Sequence, residues 1–264
     1  MLISTKIHLT MHRDFTLDTY KSILEKLRGA NYQFQSFEDY ILNQEIGKTV
    51  ILRHDVDRTP KNGVKMAMIE SNMNIKASYY FRIVNESYDE SCIKSIVDLG
   101  HELGYHYEDL ALSKGNKEIA FDSFQKNLKN FRKFYDIKTM CMHGSPMSEW
   151  DNRLLWKSYN YKDFGIIAEP YFDLDFNQVF YITDASRTWN NEKVTIRDKV
   201  KSDFNLPFKS SSELIQLIEK NILPDKLMLS THPHNWADKL PEWIKIRTWQ
   251  GIKNQVKKVL VKKA

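Results

Sequence analysis

Seven short β-rich runs, separated by longer stretches of helical character, set the strongest limit on what this chain can fold into. They are Thr49–Arg53, Ala77–Arg82, Glu102–Tyr105, Lys138–Met142, Phe164–Ala168, Val179–Ile182 and Lys226–Ser230. Helical patterns fall between them at 63–71, 89–99, 117–134 and 212–220, the second of these stopping at Gly100. A strand near Ile3–Leu9 and a helix over Leu17–Arg28, with Thr16 or Asp18 near its cap, precede the series. Strands alternating with helices of this length predict stacked βα units and a parallel sheet.

The residues that end those strands carry the second signal. Asp55 and Asp57 follow the first run, His106 the third, His143 the fourth, Asp184 the sixth, and His232 and His234 the seventh. Parallel α/β sheets and barrels keep their active sites at the C-terminal ends of their strands. Residues able to move protons or bind metals are therefore expected to meet at one mouth.

Asp55 and Asp57 stand two residues apart, so an extended backbone points them the same way. Two like charges that close are costly unless a metal ion or a transferring proton uses them. Carboxylate oxygens and imidazole nitrogens together suit Zn²⁺ or a similar divalent ion. Asp57 and His106 are the first two expected ligands. Asp55 is the expected general base toward an attacking water, and His232 oriented by Asp184 the acid that protonates a leaving amine. Blander roles exist beside these: the Asp pair as a turn and helix cap before Pro60, and His101, His8 and His12 as structural or surface groups. Trp150, Trp189 and Trp236 lie near the expected mouth, where an indole serves either sugar stacking or packing.

Those residues carry a resemblance to the polysaccharide deacetylase family, also called the NodB-homology or carbohydrate esterase 4 family, over Thr49 to Trp236. His54-Asp55-Val56-Asp57 resembles its first motif in an Asp-x-Asp form, and Gly100-His101-Glu102-Leu103-Gly104-Tyr105-His106 is closely similar to its second. His143-Gly144-Ser145-Pro146, Asp184 to Trp189 and Leu229 to His232 stand where the family has its Arg-x-Pro, Asp/Trp and Leu-x-x-His segments. The fold implied is α/β, a single-domain deformed (β/α) barrel of about seven parallel strands. The whole chain, 1–264, is expected to be one such domain with an N-terminal strand–helix extension and a basic C-terminal helix.

Two departures bear on the site. The family's second metal histidine falls where this chain has Leu110, and His143, His234 and Glu108 are the side chains available in its place. The arginine that steadies the base is replaced by His143, or its role passes to Arg53 or Arg187. The expected set is thus Asp57, His106 and His143 for a divalent metal, Zn²⁺ foremost, with Asp55, His232, Asp184 and Arg187 as catalytic groups. The resemblance implies metal-assisted hydrolysis of an amide, namely N-deacetylation of an amino sugar in glycan or sugar-precursor metabolism. A metal-free, allantoinase-like amide hydrolase and a non-catalytic glycan-binding relative are the alternatives.

Charge and cysteine content narrow the partners. Of the 39 Lys+Arg, Lys253, Lys257, Lys258, Lys262 and Lys263 lie in the last twelve residues, and without them bases and acids balance. The net charge of +5 therefore reports a basic helix end, not a nucleic-acid surface. Cys92 and Cys141 have no zinc-finger or disulfide-framework spacing, and a reducing compartment fits them. No apolar stretch in Met1–Leu17 has the length of a signal peptide or membrane span. A cytoplasmic amino-sugar or glycan-precursor substrate is expected, with no nucleic-acid partner and no membrane span.

Overall fold

The computed structural model describes residues 13–43, 47–190, 197 and 199–261; the strand expected at Ile3–Leu9 lies outside them. Helix α1 (Leu17–Gly29) starts at Thr16, whose side chain accepts from the Thr19 amide, and buries Tyr20, Ile23, Leu24 and Leu27 on one stripe. The chain continues through β1 (Gln33–Gln35), α2 (Phe37–Leu42), β2 (Thr49–Val56), α3 (Pro60–Asn72) and β3 (Ser78–Phe81). Next come α4 (Glu90–Asp98), β4 (Glu102–Tyr107), α5 (Asp109–Leu112), α6 (Lys117–Phe131), β5 (Met140–Met142) and α7 (Pro170–Asp173). β6 (Phe180–Thr183), α8 (Ser211–Glu219), β7 (Lys226–Thr231) and α9 (Leu240–Val261) complete it.

Seven parallel strands form a single curled sheet, a half-barrel in the order β5-β4-β3-β2-β7-β6, with β1 beside the first half of β2. Parallel neighbours need a crossover, and α3, α4 and α6 supply those between β2 and β5. Between β5 and β6 no long helix does so. Here the strand expected at Phe164–Ala168 is corrected: Phe164 closes a short 3₁₀ turn, Gly165 turns left-handed at φ +72°, and Ala168 alone bridges to Thr139. β1 and α2 escaped the sequence reading because a strand of three residues and a helix of six are too short to show a period. Among the described residues no helix is long and apolar enough to cross a membrane.

Strand alternation divides β2 between two environments. Val50, Leu52 and Val56 join the large core beneath the helices, whereas Ile51 packs inside the curl with Tyr80, Cys141, Tyr181 and Met228. The parallel register sets Arg53, Ser78 and Glu102 side by side, with Asp55, Tyr80 and Gly104 one layer nearer the mouth. That layering gives the Gly100–His106 segment a physical reading. Glu102 ties the floor by accepting from Ser78 Oγ at 2.5 Å and the Glu38 amide at 2.9 Å. At Gly104 a Cβ would overlap the Tyr80 ring, so only glycine fits, and His106 then emerges at the top. His101 faces the helices, accepting from the Ala77 amide at Nδ1 (3.2 Å) and donating from Nε2 to the Ala67 carbonyl (3.0 Å), a structural tie.

On the helix side of β2 lies a buried carboxylate, Glu70 of α3. It meets His54 Nε2 at 2.9 Å and accepts from Tyr20 at 2.5 Å and Tyr79 at 2.7 Å. His54 Nδ1 in turn pairs with Thr231 Oγ1 at 2.7 Å, joining α1, α3, β2 and β7. Removing one partner of such a network strands the rest away from water. Glu70→Ala is expected to destabilise the fold by about 3–5 kcal/mol, measured by chemical denaturation; a loss under about 1 kcal/mol would show that the network is dispensable.

Candidate active site

β2, β4, β5, β6 and β7 each deliver an acid or an imidazole to the same mouth. Asp55 is the last inward residue of β2, His106 lies near the end of β4, and Asp57, His143, Asp184 and His232 each follow their strand by one residue. His106 Nε2 stands 3.4 Å from Asp57 Oδ1, and His143 Nε2 stands 3.7 Å from the same oxygen. One donor atom from each of Asp57, His106 and His143 lies within 4.8 Å of the other two.

Both imidazoles are oriented by an outer bond. His106 Nδ1 meets the Cys141 carbonyl at 2.9 Å, and since a carbonyl only accepts, Nδ1 carries the proton. His143 Nδ1 meets Glu108 Oε2 at 2.8 Å in the same sense, and Glu108 is itself clamped by Arg82 at 2.6 and 2.9 Å. In its neutral form each ring would present its Nε2 lone pair inward, as in metal sites whose ligands are held by outer carboxylates and carbonyls. Asp57 Oδ1 completes the set as a buried oxygen without a hydrogen-bond partner. Donors on one tetrahedral zinc, at 2.0–2.1 Å from it, stand roughly 3.4 Å apart, close to the two spacings observed here. The residues present therefore fit a divalent ion.

Charge tells the same story. Burial pushes the Asp57 carboxyl up, yet the imidazoles of His143, His106 and His232 hold it well below the usual range. Burial likewise opposes ionisation of Glu108, but His143 and Arg82 keep it at about 2. Asp55, His106 and Cys141 also cluster within 4.8 Å. There, however, both Asp55 oxygens already accept from Arg53, at 2.8 and 2.5 Å, and a buried guanidinium disfavours a second cation beside it.

Arg53 is fully buried and so gives Asp55 its orientation from within the same strand. Burial raises the Asp55 pKa, but the charges of Arg53 and His106 and the bond to Arg53 bring it below the ordinary value. Asp55 Oδ2 lies 4.0 Å from His232 Nε2. The far side of that ring is fixed: His232 Nδ1 meets Asp184 Oδ1 at 2.7 Å, while Asp184 also accepts from the His232 amide at 2.9 Å and from Trp236 Nε1 at 2.7 Å. Burial alone would pull His232 down; the hydrogen bond and charge of Asp184 outweigh it and raise the pKa to about 10.

Other expectations meet a different outcome. Arg187 was expected among the catalytic groups, but Ser186 and Arg187 both adopt left-handed backbone, and its guanidinium lies over Trp243 (4.9 Å) and Phe15 (5.4 Å), with Nε donating to the Asn235 carbonyl. It braces the loop behind Asp184 and does not contact Asp55. Leu110, on α5, is buried with Ala120 and Leu155, so apolar packing occupies the position where the resemblance implies a histidine. His234 packs edge-on to His232 at 5.8 Å with Nδ1 unpartnered, outside the three-donor cluster. Trp189 and Trp236 are core residues, whereas Trp150 is 40% exposed. The Arg82–Glu108 clamp was not anticipated as such; the adjacency of Glu108 to the His106 segment was its one sequence signal.

A parallel α/β half-barrel with carboxylates and imidazoles gathered at its strand ends is thus the class that fold and site define. No family model and no curated protein matches the sequence. Among solved structures, the Streptococcus pyogenes deacetylase PplD in complex with acetate is similar with a TM-score of 0.43 and 17% identity, over 55% of this chain and 70% of that one. A CE4 family pseudoenzyme from Bacillus anthracis is similar with a TM-score of 0.46 and 15% identity, over 79% of this chain and 62% of that one.

Proposed function

We propose that this chain is a divergent member of the polysaccharide deacetylase family, a metal-dependent amide hydrolase that removes an N-acetyl or related acyl group from an amino sugar. Asp57, His106 and His143 would hold the divalent ion, Zn²⁺ first, and the oriented Nε2 atoms facing the unpartnered Asp57 oxygen are the observation that carries this reading. When bound, such an ion polarises the substrate carbonyl and acidifies a coordinated water. Asp55, kept ionised by Arg53, takes the proton of the attacking water. His232, kept protonated by Asp184, gives a proton to the amide nitrogen as the C–N bond breaks, releasing the amine and the carboxylate product. Base and acid stand 4.0 Å apart, Asp55 Oδ2 from His232 Nε2, which lets both act on one carbonyl. Two cysteines without disulfide-framework spacing, both buried, suit a reducing compartment, and we place the substrate in the cytoplasm as a nucleotide-linked or lipid-linked precursor.

The test is metal content together with acetate release. Purified protein reconstituted with zinc is expected to hold near-stoichiometric metal and to release acetate from N-acetylglucosamine or its oligomers. His143→Ala should lose the metal, and Glu108→Ala, which frees the ring, should weaken zinc affinity about 10–100-fold. Unchanged zinc stoichiometry and affinity in His143→Ala would sink the ligand set.

A further inference from the structure

Helix α9 carries apolar side chains on two sides, and only one of them is used by the fold. Trp243 and Gln250 are buried, Trp243 Nε1 donates to the Asp14 carbonyl at 2.6 Å, and Asn254 Nδ2 donates to the Ser186 carbonyl at 3.0 Å. At 3.6 residues per turn these three share one stripe, which fastens α9 to the body. The opposite side holds Ile244, Trp249, Ile252 and Val256, exposed by 50, 54, 55 and 54%, with Leu240 at its start. A folded protein rarely groups exposed apolar side chains without a use for them.

Charge indicates what this row fits. Between Leu240 and Val261 five cations, Lys245, Arg247, Lys253, Lys257 and Lys258, face a single acid, Glu242. Arg247 and Lys253 fall at the two borders of the row, Lys253 Nζ lying 5.3 Å from the Trp249 ring centroid. Lys245 is exposed within the row, on a stem long enough to carry its ammonium clear of an apolar phase. Apolar side chains bordered by cations, with an indole among them, match the boundary of a bilayer whose headgroups are anionic. A nucleic acid would take the cations and leave the apolar row in water. A second copy would bury the row but lay the same cations against each other.

We propose that the outward face of α9 docks this protein on an anionic lipid surface, lying in the headgroup boundary without crossing it. Among the described residues no helix is long and apolar enough to span a bilayer, so the contact is peripheral. The helix sits beside the mouth: Ser186, which Asn254 holds, is two residues past Asp184, and the charge of Lys253 acts on His234. Docking therefore brings that flank of the mouth toward the lipid, where a lipid-linked substrate is presented. The docking itself does not depend on the hydrolase reading.

The experiment is flotation of the full chain with vesicles of phosphatidylcholine alone and of phosphatidylcholine with roughly 30% phosphatidylglycerol. Binding to the anionic vesicles is expected to be at least about tenfold stronger, and to weaken at least about fivefold when salt rises from about 0.15 to 1 M. Trp249→Ser/Ile252→Ser should cut it about tenfold with the thermal midpoint unchanged, since both side chains face outward. Lys245→Glu, at another exposed position, should weaken it about tenfold by charge alone. No flotation with anionic vesicles, equal binding to neutral ones, insensitivity to salt, or binding that survives these substitutions would overturn the docking. So would a dimer in sedimentation velocity that Trp249→Ser/Ile252→Ser dissociates, because α9 would then face a second copy. Metal content and acetate release are scored separately, without vesicles, and their failure would count against the hydrolase reading alone.

Discussion

Asp55→Asn is expected to lower turnover about 10²–10⁴-fold, the usual contribution of a positioned general base, while zinc stays bound at the wild-type ratio. The amide keeps the shape of the carboxylate and one oxygen for Arg53, but it cannot take a proton from water. It also leaves Arg53, fully buried, without its counter-charge, so some stability is lost and the thermal midpoint is to be measured alongside. Retained turnover in a folded Asp55→Asn protein would remove Asp55 as the base. Loss of zinc would carry a different meaning: the ion would then belong to the neighbouring Asp55, His106 and Cys141 cluster. Asp57→Ala is the paired control and should lose both metal and turnover.

Asp184→Asn is expected to move the alkaline limb of the kcat/KM profile down from about pH 10. The sign follows from the acid's role. His232 must be protonated to act, and its folded pKa is raised, so the active form persists from neutral pH up to about 10. Without the Asp184 charge and hydrogen bond, burial, the largest single influence on the ring, is opposed only by the charges of Asp57 and Asp55, and the pKa falls. Activity at neutral pH should then fall by about 10²–10⁴-fold and recover in part on acidification. The same linkage acts on stability. The contribution of a group with a raised pKa is complete below its unfolded value of about 6.5 and is lost as pH rises through about 10. A profile left in place by Asp184→Asn would show that His232 is not the acid, or that Asp184 does not set its charge.

Much of the architecture was legible because strand burial and helix periodicity are local properties. The runs at Thr49, Ala77, Glu102, Val179 and Lys226 all became strands, within one to three residues at each end. The run at Phe164–Ala168 did not, because Gly165 reverses the chain after the Tyr161–Phe164 turn, and β-like composition cannot register a single left-handed residue. β1 was hidden for the opposite reason, its pairing with β2 coming from the sheet and not from its glutamines.

At the site, the chain order of residues was enough to place Asp55, Asp57, His106, His143, Asp184 and His232 at strand ends, because in a parallel sheet every strand ends at the same mouth. Which side chains touch was decided by tertiary structure alone. Arg53, two residues from Asp55 on the same face, holds the base, while Arg187, which also had a place in the sequence reading, is turned away by its left-handed backbone. His143 faces Asp57 across the mouth because β5 lies next to β4 and Glu108 fixes its ring, whereas Leu110, on α5, is drawn into apolar packing. Trp150 is exposed and Trp236 buried for reasons of the same kind. The sequence by itself determined the alternation of elements and the chemistry available at their ends, since both follow from short-range pattern. The curl and register of the sheet decided the pairings, since a hydrogen bond or a ligand set depends on distances between residues 35 to 177 positions apart, and no local pattern encodes those.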